Sequence, residues 1–417
     1  MMLPLVFLLL CQGEPAPAPW LLATAYKLPS EYTNQESGYF ALVPGLDDRL
    51  YIGAAKYGVN GYLLEFDPRT SKTRMVLDVH EVTRLVGTGF AAQAKIHTRN
   101  NVGASGKIYV GSKQGYPEKG EERCLYPGGF VLTHDPKTGK NETFGIAKAQ
   151  HGIISVMPDE SRGLAYISTC SDDRPIDHTH FMVLDLKTKK YTDLGDMEHA
   201  YAFIVLDAKG RAYHPVRGGT IARYDPDTKK LEKLSYTVDG DPPGKMFTKD
   251  DCILNWDSSP DRKTLWAVEM TTNALYRFDL TGDKPLGTTV GPLLDPGPKG
   301  RTDCRCLATG PDGTVWAAVT VHGVPDGPRL HLVRYDPAHD KAPRDLGRIG
   351  IANPDFTTFV DDKGKPKPWH HTMPVTKDGT RSPWQPMGIA ATRDGAVWVK
   401  TIAPYTLLKL RKDQVRK

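Results

Sequence analysis

The sequence predicts an all-β chain, a seven-bladed β-propeller of four-stranded antiparallel blades closed by an N-terminal strand. Three observations carry this expectation. A strand ending in aspartate recurs six times, a second hairpin precedes each recurrence, and the unpaired strands at the two ends of the chain complement one another.

The first pattern is Leu-Leu-Glu-Phe-Asp67-Pro-Arg-Thr, repeated around Asp135, Asp185, Asp225, Asp279 and Asp336 at intervals of 68, 50, 40, 54 and 57 residues. In each copy the aspartate should bond the backbone just ahead of it, and a basic or small polar stretch should close the turn. The second pattern is an apolar strand, a Gly/Asp turn and a strand carrying an aromatic. It is seen in Ile204–Tyr213, Cys306–Trp316 and Ile389–Trp398. Two hairpins per repeat make a four-stranded blade. The last copy, through Thr406–Leu410, stops without an outermost strand, while Trp20–Tyr26 is a strand with no blade of its own. Joining them closes the ring and removes exposed sheet edges.

Residues 1–19 read as a leader. An apolar run from Leu3 to Leu10 precedes a Pro/Ala-rich segment, and it is too short to span a bilayer. Export is therefore expected, with Cys11 a minor alternative as a lipid anchor. Residues 20–417 read as one propeller without a transmembrane segment, and the closed ring is expected to be monomeric. Residues 350–385 form a Pro-rich inter-blade loop. A net charge of +5 over 417 residues, with no basic run, argues against nucleic acid but suits an anionic ligand.

The starts of innermost strands and the ends of second strands should meet at one mouth. Aligning the repeats places Gln93, His151, Tyr201, Asp251, Cys252, Asp303, Cys304 and Met387 near the former, and Lys113, Cys170, Arg217 and Glu269 near the latter. Gln93, Lys113, His151, Tyr201 and Arg217 combine a base, a phenol and two cations. That set suits elimination beside a uronate carboxylate, which needs charge neutralisation, proton abstraction and protonation of the leaving oxygen. The bland alternative is that they are rim charges and packed rings. Removal of the leader would leave an odd number of cysteines, so not all can pair internally. Cys252, Cys304, Cys306, His370 and His371 are of the types that bind zinc, and a structural zinc there would pin the Pro-rich loop. Along a regular strand Cys304 and Cys306 point the same way, so either could serve; buried thiols and ordinary loop histidines are the other reading.

Met387-Gly-Ile-Ala-Ala-Thr-Arg-Asp-Gly-Ala-Val-Trp398 resembles the repeat of streptogramin lyase-like propellers. Most of the chain also resembles the propeller polysaccharide lyases, notably the ulvan lyases. That resemblance implies two histidines from one blade, a later tyrosine–arginine pair, and a zinc held by Cys and His. Tyr201 and Arg217 match in type, order and separation, whereas Gln93 and Lys113 stand where the family has histidine. The resemblance thus implies either an exported lyase acting on an acidic, uronate-containing polysaccharide or a non-catalytic propeller binding glycan or protein. In the first case Tyr201 would be the acid, Arg217 and Lys113 the carboxylate clamps, and His151 the base. Gln93, Lys113 and Arg217 would contact substrate, and Cys252, Cys304, His370 and His371 would hold the zinc.

Overall fold

Each of the six repeated aspartates closes its turn as expected. Asp67, Asp135, Asp185, Asp225, Asp279 and Asp336 all accept a hydrogen bond from the backbone N–H two residues on, at 2.8–3.0 Å. The repeat is therefore a structural unit and not only a sequence pattern. The computed structural model describes residues 19–33, 37–117, 119–172, 178–199, 201–217, 219–242, 254–269, 273–325, 327–353, 375–403 and 405–416.

These turns join antiparallel meanders. Gly152–Asp159, Leu164–Cys170, His180–Asp185 and Tyr191–Asp196 form one four-stranded sheet. Val205–Leu206, Ala212–Val216, Thr220–Asp225 and Lys230–Ser235 form another. Leu254–Ser258, Thr264–Glu269, Ala274–Asp279 and Leu286–Pro292 form a third, to which the short strand Thr237–Val238 adds in parallel. Successive units press face to face. A Cβ on Gly111 would stand 2.3 Å from the Ile153 side chain, so the next unit packs directly on that backbone.

The remaining strands lie in two larger sheets, each spanning two repeats. In the nine-stranded sheet Lys95 pairs with both Ala55 and Lys113, joining the first repeat to the second. In the eight-stranded sheet the joint is the N-terminal strand Trp20–Lys27. Its second half, Thr24–Lys27, pairs antiparallel with Thr406–Lys409 of the last repeat. Its first half, Trp20–Ala23, pairs in parallel with Arg348–Ile351 of the repeat before. The expected pairing with the C-terminal strand is present, and a second seam accompanies it.

Inner strands depart from regular alternation at corresponding places. The pairing register slips around Phe40, at Ile154, at Arg305 and at Met387. A bulge leaves one residue belonging to neither face of its sheet and re-aims it. Phe40, Ile154 and Met387 meet Phe203 and Trp256 in one apolar cluster drawn from separate repeats. The centre is thus filled with side chains, and each end of it is a separate mouth.

The bulge at Arg305 corrects one expectation. Cys304 packs with Trp266, Val268 and Val319, whereas Cys306 packs with Trp316, Ala318 and Ile389. The two thiols lie on opposite faces and are not interchangeable. The strand that would run through His97 is interrupted. The inner strand breaks there, into Lys95–Ile96 and Asn101–Val102.

Candidate functional site

At the end of the sheets where second strands finish, three lysines and a histidine gather among aromatic rings. Lys95 is fully buried, with Nζ 4.6, 4.9 and 5.6 Å from the ring centroids of Tyr116, Tyr57 and Tyr39. It also donates to the Tyr57 hydroxyl at 3.4 Å. Rings presenting their faces to an ammonium stabilise it without cancelling its charge. Tyr116 is half exposed, so the cage reaches solvent.

Beside it, the His97 ring stacks between Tyr39 at 4.4 Å and Tyr201 at 5.6 Å. Burial, reinforced by the fields of Lys95, Lys113 and Lys400, holds the His97 pKa well below its ordinary value, so the imidazole is neutral. Its Nδ1 is buried without a hydrogen-bond partner. Burial raises the Tyr201 pKa, with Lys113 opposing, and keeps the phenol protonated. Lys400, buried and within 3.3 Å of the Ala41 carbonyl, is lowered by burial to about 7.

Lys113 lies 5.5 Å from the Tyr201 ring centroid and 3.0 Å from the Asp172 carboxylate. The second contact is an ion pair without hydrogen-bond alignment. Burial is the largest influence and opposes the Lys113 charge, but Asp172, Cys170, Tyr201 and Tyr116 together outweigh it and the pKa stands well above the ordinary lysine value. Of the residues expected at this mouth, Lys113 and Tyr201 come together. Gln93 spends its amide on the protein, donating to the Gly128 carbonyl and accepting from Ser112 and Tyr126. His151 sits in a different group: Nδ1 meets the Thr169 hydroxyl, and its ring stands edge-on to His180, itself bonded to Asp193. Burial, with His180 and Lys148, lowers His151 to about 4. Arg217 is turned to Glu198, at 3.8 Å.

Sequence reasoning missed Lys95, His97 and Lys400. The first two lie just where the inner strand breaks, which repeat alignment cannot register. Lys400 was legible as the single cation in the apolar strand Val397–Ala403.

The zinc expectation rests on one described residue. Cys304 is buried, its thiol directed at the Cys306 carbonyl at 3.7 Å, and burial raises its pKa to about 12. Cys252, His370 and His371, with Asp251, lie outside the described residues. Among the described residues no three His, Cys, Asp or Glu side chains are grouped to hold a metal ion.

Comparison with known proteins gives a fold. No family model matches the chain, and no curated protein does. Among solved structures, the extracellular domain of a putative hybrid two-component system from B. thetaiotaomicron is similar with a TM-score of 0.53 at 12% identity. That match covers 94% of this chain and 40% of the other, so the chain spans well under half of that structure's length. The Cps50 (Swd1) β-propeller domain of Myceliophteria thermophila matches at 0.53 and 10% identity, covering 93% and 97% of the two chains. The fold is a β-propeller. A chain of a mitotic checkpoint complex gives a TM-score of 0.52 at 12% identity, covering 99% of this propeller and 98% of that chain. Such identities speak to architecture and not to activity. No helix among the described residues is long and apolar enough to cross a membrane.

Proposed function

We propose that this chain is an exported, monomeric, seven-bladed propeller that binds an acidic, uronate-containing oligosaccharide at the mouth formed by Lys95, Lys113, His97 and Tyr201. In this reading each of the two large sheets is a pair of blades joined at one seam. The observation that carries the binding assignment is the Lys95 cage: an ammonium beneath three tyrosine rings, one of them half exposed. Sugar rings stack on aromatic faces, and an ammonium held among them attracts their carboxylates. Calorimetric titration with a panel of uronate oligosaccharides tests it. Binding that weakens in Lys95→Met and with added salt supports the assignment; absence of binding by the folded protein sinks it.

A second reading, elimination, is favoured by the stacking of a protonated Tyr201 on a neutral His97 beside Lys113. Lysine would neutralise the carboxylate, and a neutral imidazole would take the proton α to it. The C–O bond to the leaving sugar would break as the new C=C forms, with Tyr201 protonating the departing oxygen. His97 is then the better placed base, with His151 and Arg217 at the periphery. Ultraviolet absorbance from an unsaturated product separates lyase from binder. The zinc set Cys252, Cys304, His370 and His371 belongs to the proposal as a structural element only.

A further inference from the structure

The cations and the imidazole of the Lys95 mouth are covered. Lys95 and Lys113 are 0% exposed and His97 1%, so a ligand in solvent reaches none of the three in this arrangement. What covers Lys95 is therefore part of how the site works. Three rings surround its Nζ, and they are not equivalent. Tyr39 belongs to the strand Ser37–Pro44 and stacks on His97. Tyr57 is held from two sides: its hydroxyl accepts from Lys95, and a Cβ on Gly115 would stand 3.1 Å from its ring. Both of these rings are only partly exposed. Tyr116 is 53% exposed, and its ring is also the nearest to the ammonium, at 4.6 Å. The Tyr116 ring thus lies between Lys95 and water.

Tyr116 follows closely on the second strand Ile108–Lys113, in the connection to Phe130–His134. Its main chain has little freedom. Gly115 before it is packed on Tyr57 and Ala94, and Pro117 after it disfavours a helical backbone at Tyr116. The side chain is what can move. Its hydroxyl meets the Tyr39 hydroxyl at 3.4 Å, beyond the usual range for such a pair, and its ring is tilted on Tyr57 at 5.5 Å. Exposed side chains change rotamer readily, so an outward swing breaks surface contacts while the strands stay in place. The Tyr116 phenol is also near enough to bear on the protonation of Lys113 and Tyr201, so it stands over the whole group.

We propose that Tyr116 is the gate of this mouth: its side chain covers the Lys95 ammonium in the free protein and swings outward to let an anionic group reach it. The identity of that anionic group rests on the acidic-sugar reading; the gate itself does not.

The test is brief acetylation of the folded protein with an amine-selective reagent, followed by mass spectrometry of its peptides. In wild type Lys95 should react far more slowly than the exposed Lys137. Tyr116→Ala should speed Lys95 roughly tenfold or more, the factor that corresponds to losing one such ring contact. Lys400, buried elsewhere in the molecule, should stay protected, and Tyr116→Phe, which keeps the ring, should behave as wild type. A Lys95 rate unchanged in Tyr116→Ala overturns the gate, as does a wild-type Lys95 that reacts like Lys137. So does a joint rise of Lys95 and Lys400, which would report general loosening. A uronate oligosaccharide should shield Lys95 in the alanine variant; faster labelling without that shielding leaves the gate standing and removes the acidic-sugar reading.

Discussion

Lys113 and Asp172 face each other at 3.0 Å with the ammonium shut off from water and the carboxylate nearly so. Asp172 has φ of 63°, a left-handed conformation that asparagine also tolerates. Asp172→Asn therefore removes charge without a new backbone demand. It should cost about 3–5 kcal/mol at neutral pH, because a buried cation is left uncompensated. The folded pKa of Lys113 is raised, so the pair's stabilisation is present below the ordinary lysine value and is lost only as pH rises through the folded one. Denaturant midpoints of wild type and variant should differ by a constant amount from about pH 6 to 9 and converge only in stronger alkali.

Acid should destabilise the protein through buried histidines. His214 donates from Nδ1 to the Pro215 carbonyl and pairs Nε2 with the Ser168 hydroxyl, a neutral tautomer. Burial lowers it to about 3, and lowers His199 to about 4. Both take up protons only on unfolding in this range. Stability should therefore fall as pH drops below about 6.5, by up to about 1.4 kcal/mol per pH unit for each histidine. His214→Gln should lessen that slope; an identical slope in the variant would contradict the assignment.

Deleting residues 20–28 frees the C-terminal strand and the edge at Arg348–Ile351 together. Calorimetry should show loss of the cooperative transition or aggregation on heating. A truncated protein that melts like the intact one would refute ring closure by this strand.

Tyr201→Phe keeps the ring stacked on His97 and removes only the hydroxyl. A lyase should lose turnover while retaining affinity. A binder should be almost unaffected. Arg217→Ala should lower affinity little in either case if its ion pair with Glu198 is its main role, and by about 1.5–3 kcal/mol if it clamps a carboxylate.

Zinc analysis of protein purified without chelator should give close to one metal per chain. Cys304→Ser should release it and open the 350–385 segment to protease. Metal-free wild type would remove zinc from the proposal.

The architecture was legible because its determinants are local. Each repeated aspartate needs only its own turn, and alternation between turns is read from neighbouring residues. Trp20–Lys27 could be placed because both chain ends lacked a partner, although its parallel seam with Arg348–Ile351 could not. The site was less legible for a different reason. Bulges at Ile154, Arg305 and Met387 shift side chains between faces, and the break at His97 ends an inner strand early. Neither leaves a clear mark in a pattern of alternating residue types. Lys113 was found because it ends the regular second strand Ile108–Lys113, and Tyr201 because it precedes its repeat's hairpin; Lys95 and His97 were missed because they sit where an inner strand breaks.

The bulged positions also bear on how such a chain can diversify. Phe40, Ile154, Arg305 and Met387 sit at register slips, and Phe40, Ile154 and Met387 join separate repeats through the central cluster, whereas Val319 and Ile389 join neighbouring sheets face to face. Phe40, Ile154 and Met387 are buried and meet in the central cluster, so a change at one is felt by the side chains contributed by the other repeats. Exchanges there would have to be made together, because side chains from separate repeats fill one shared space, whereas the aspartate turns of the outer strands could vary one repeat at a time.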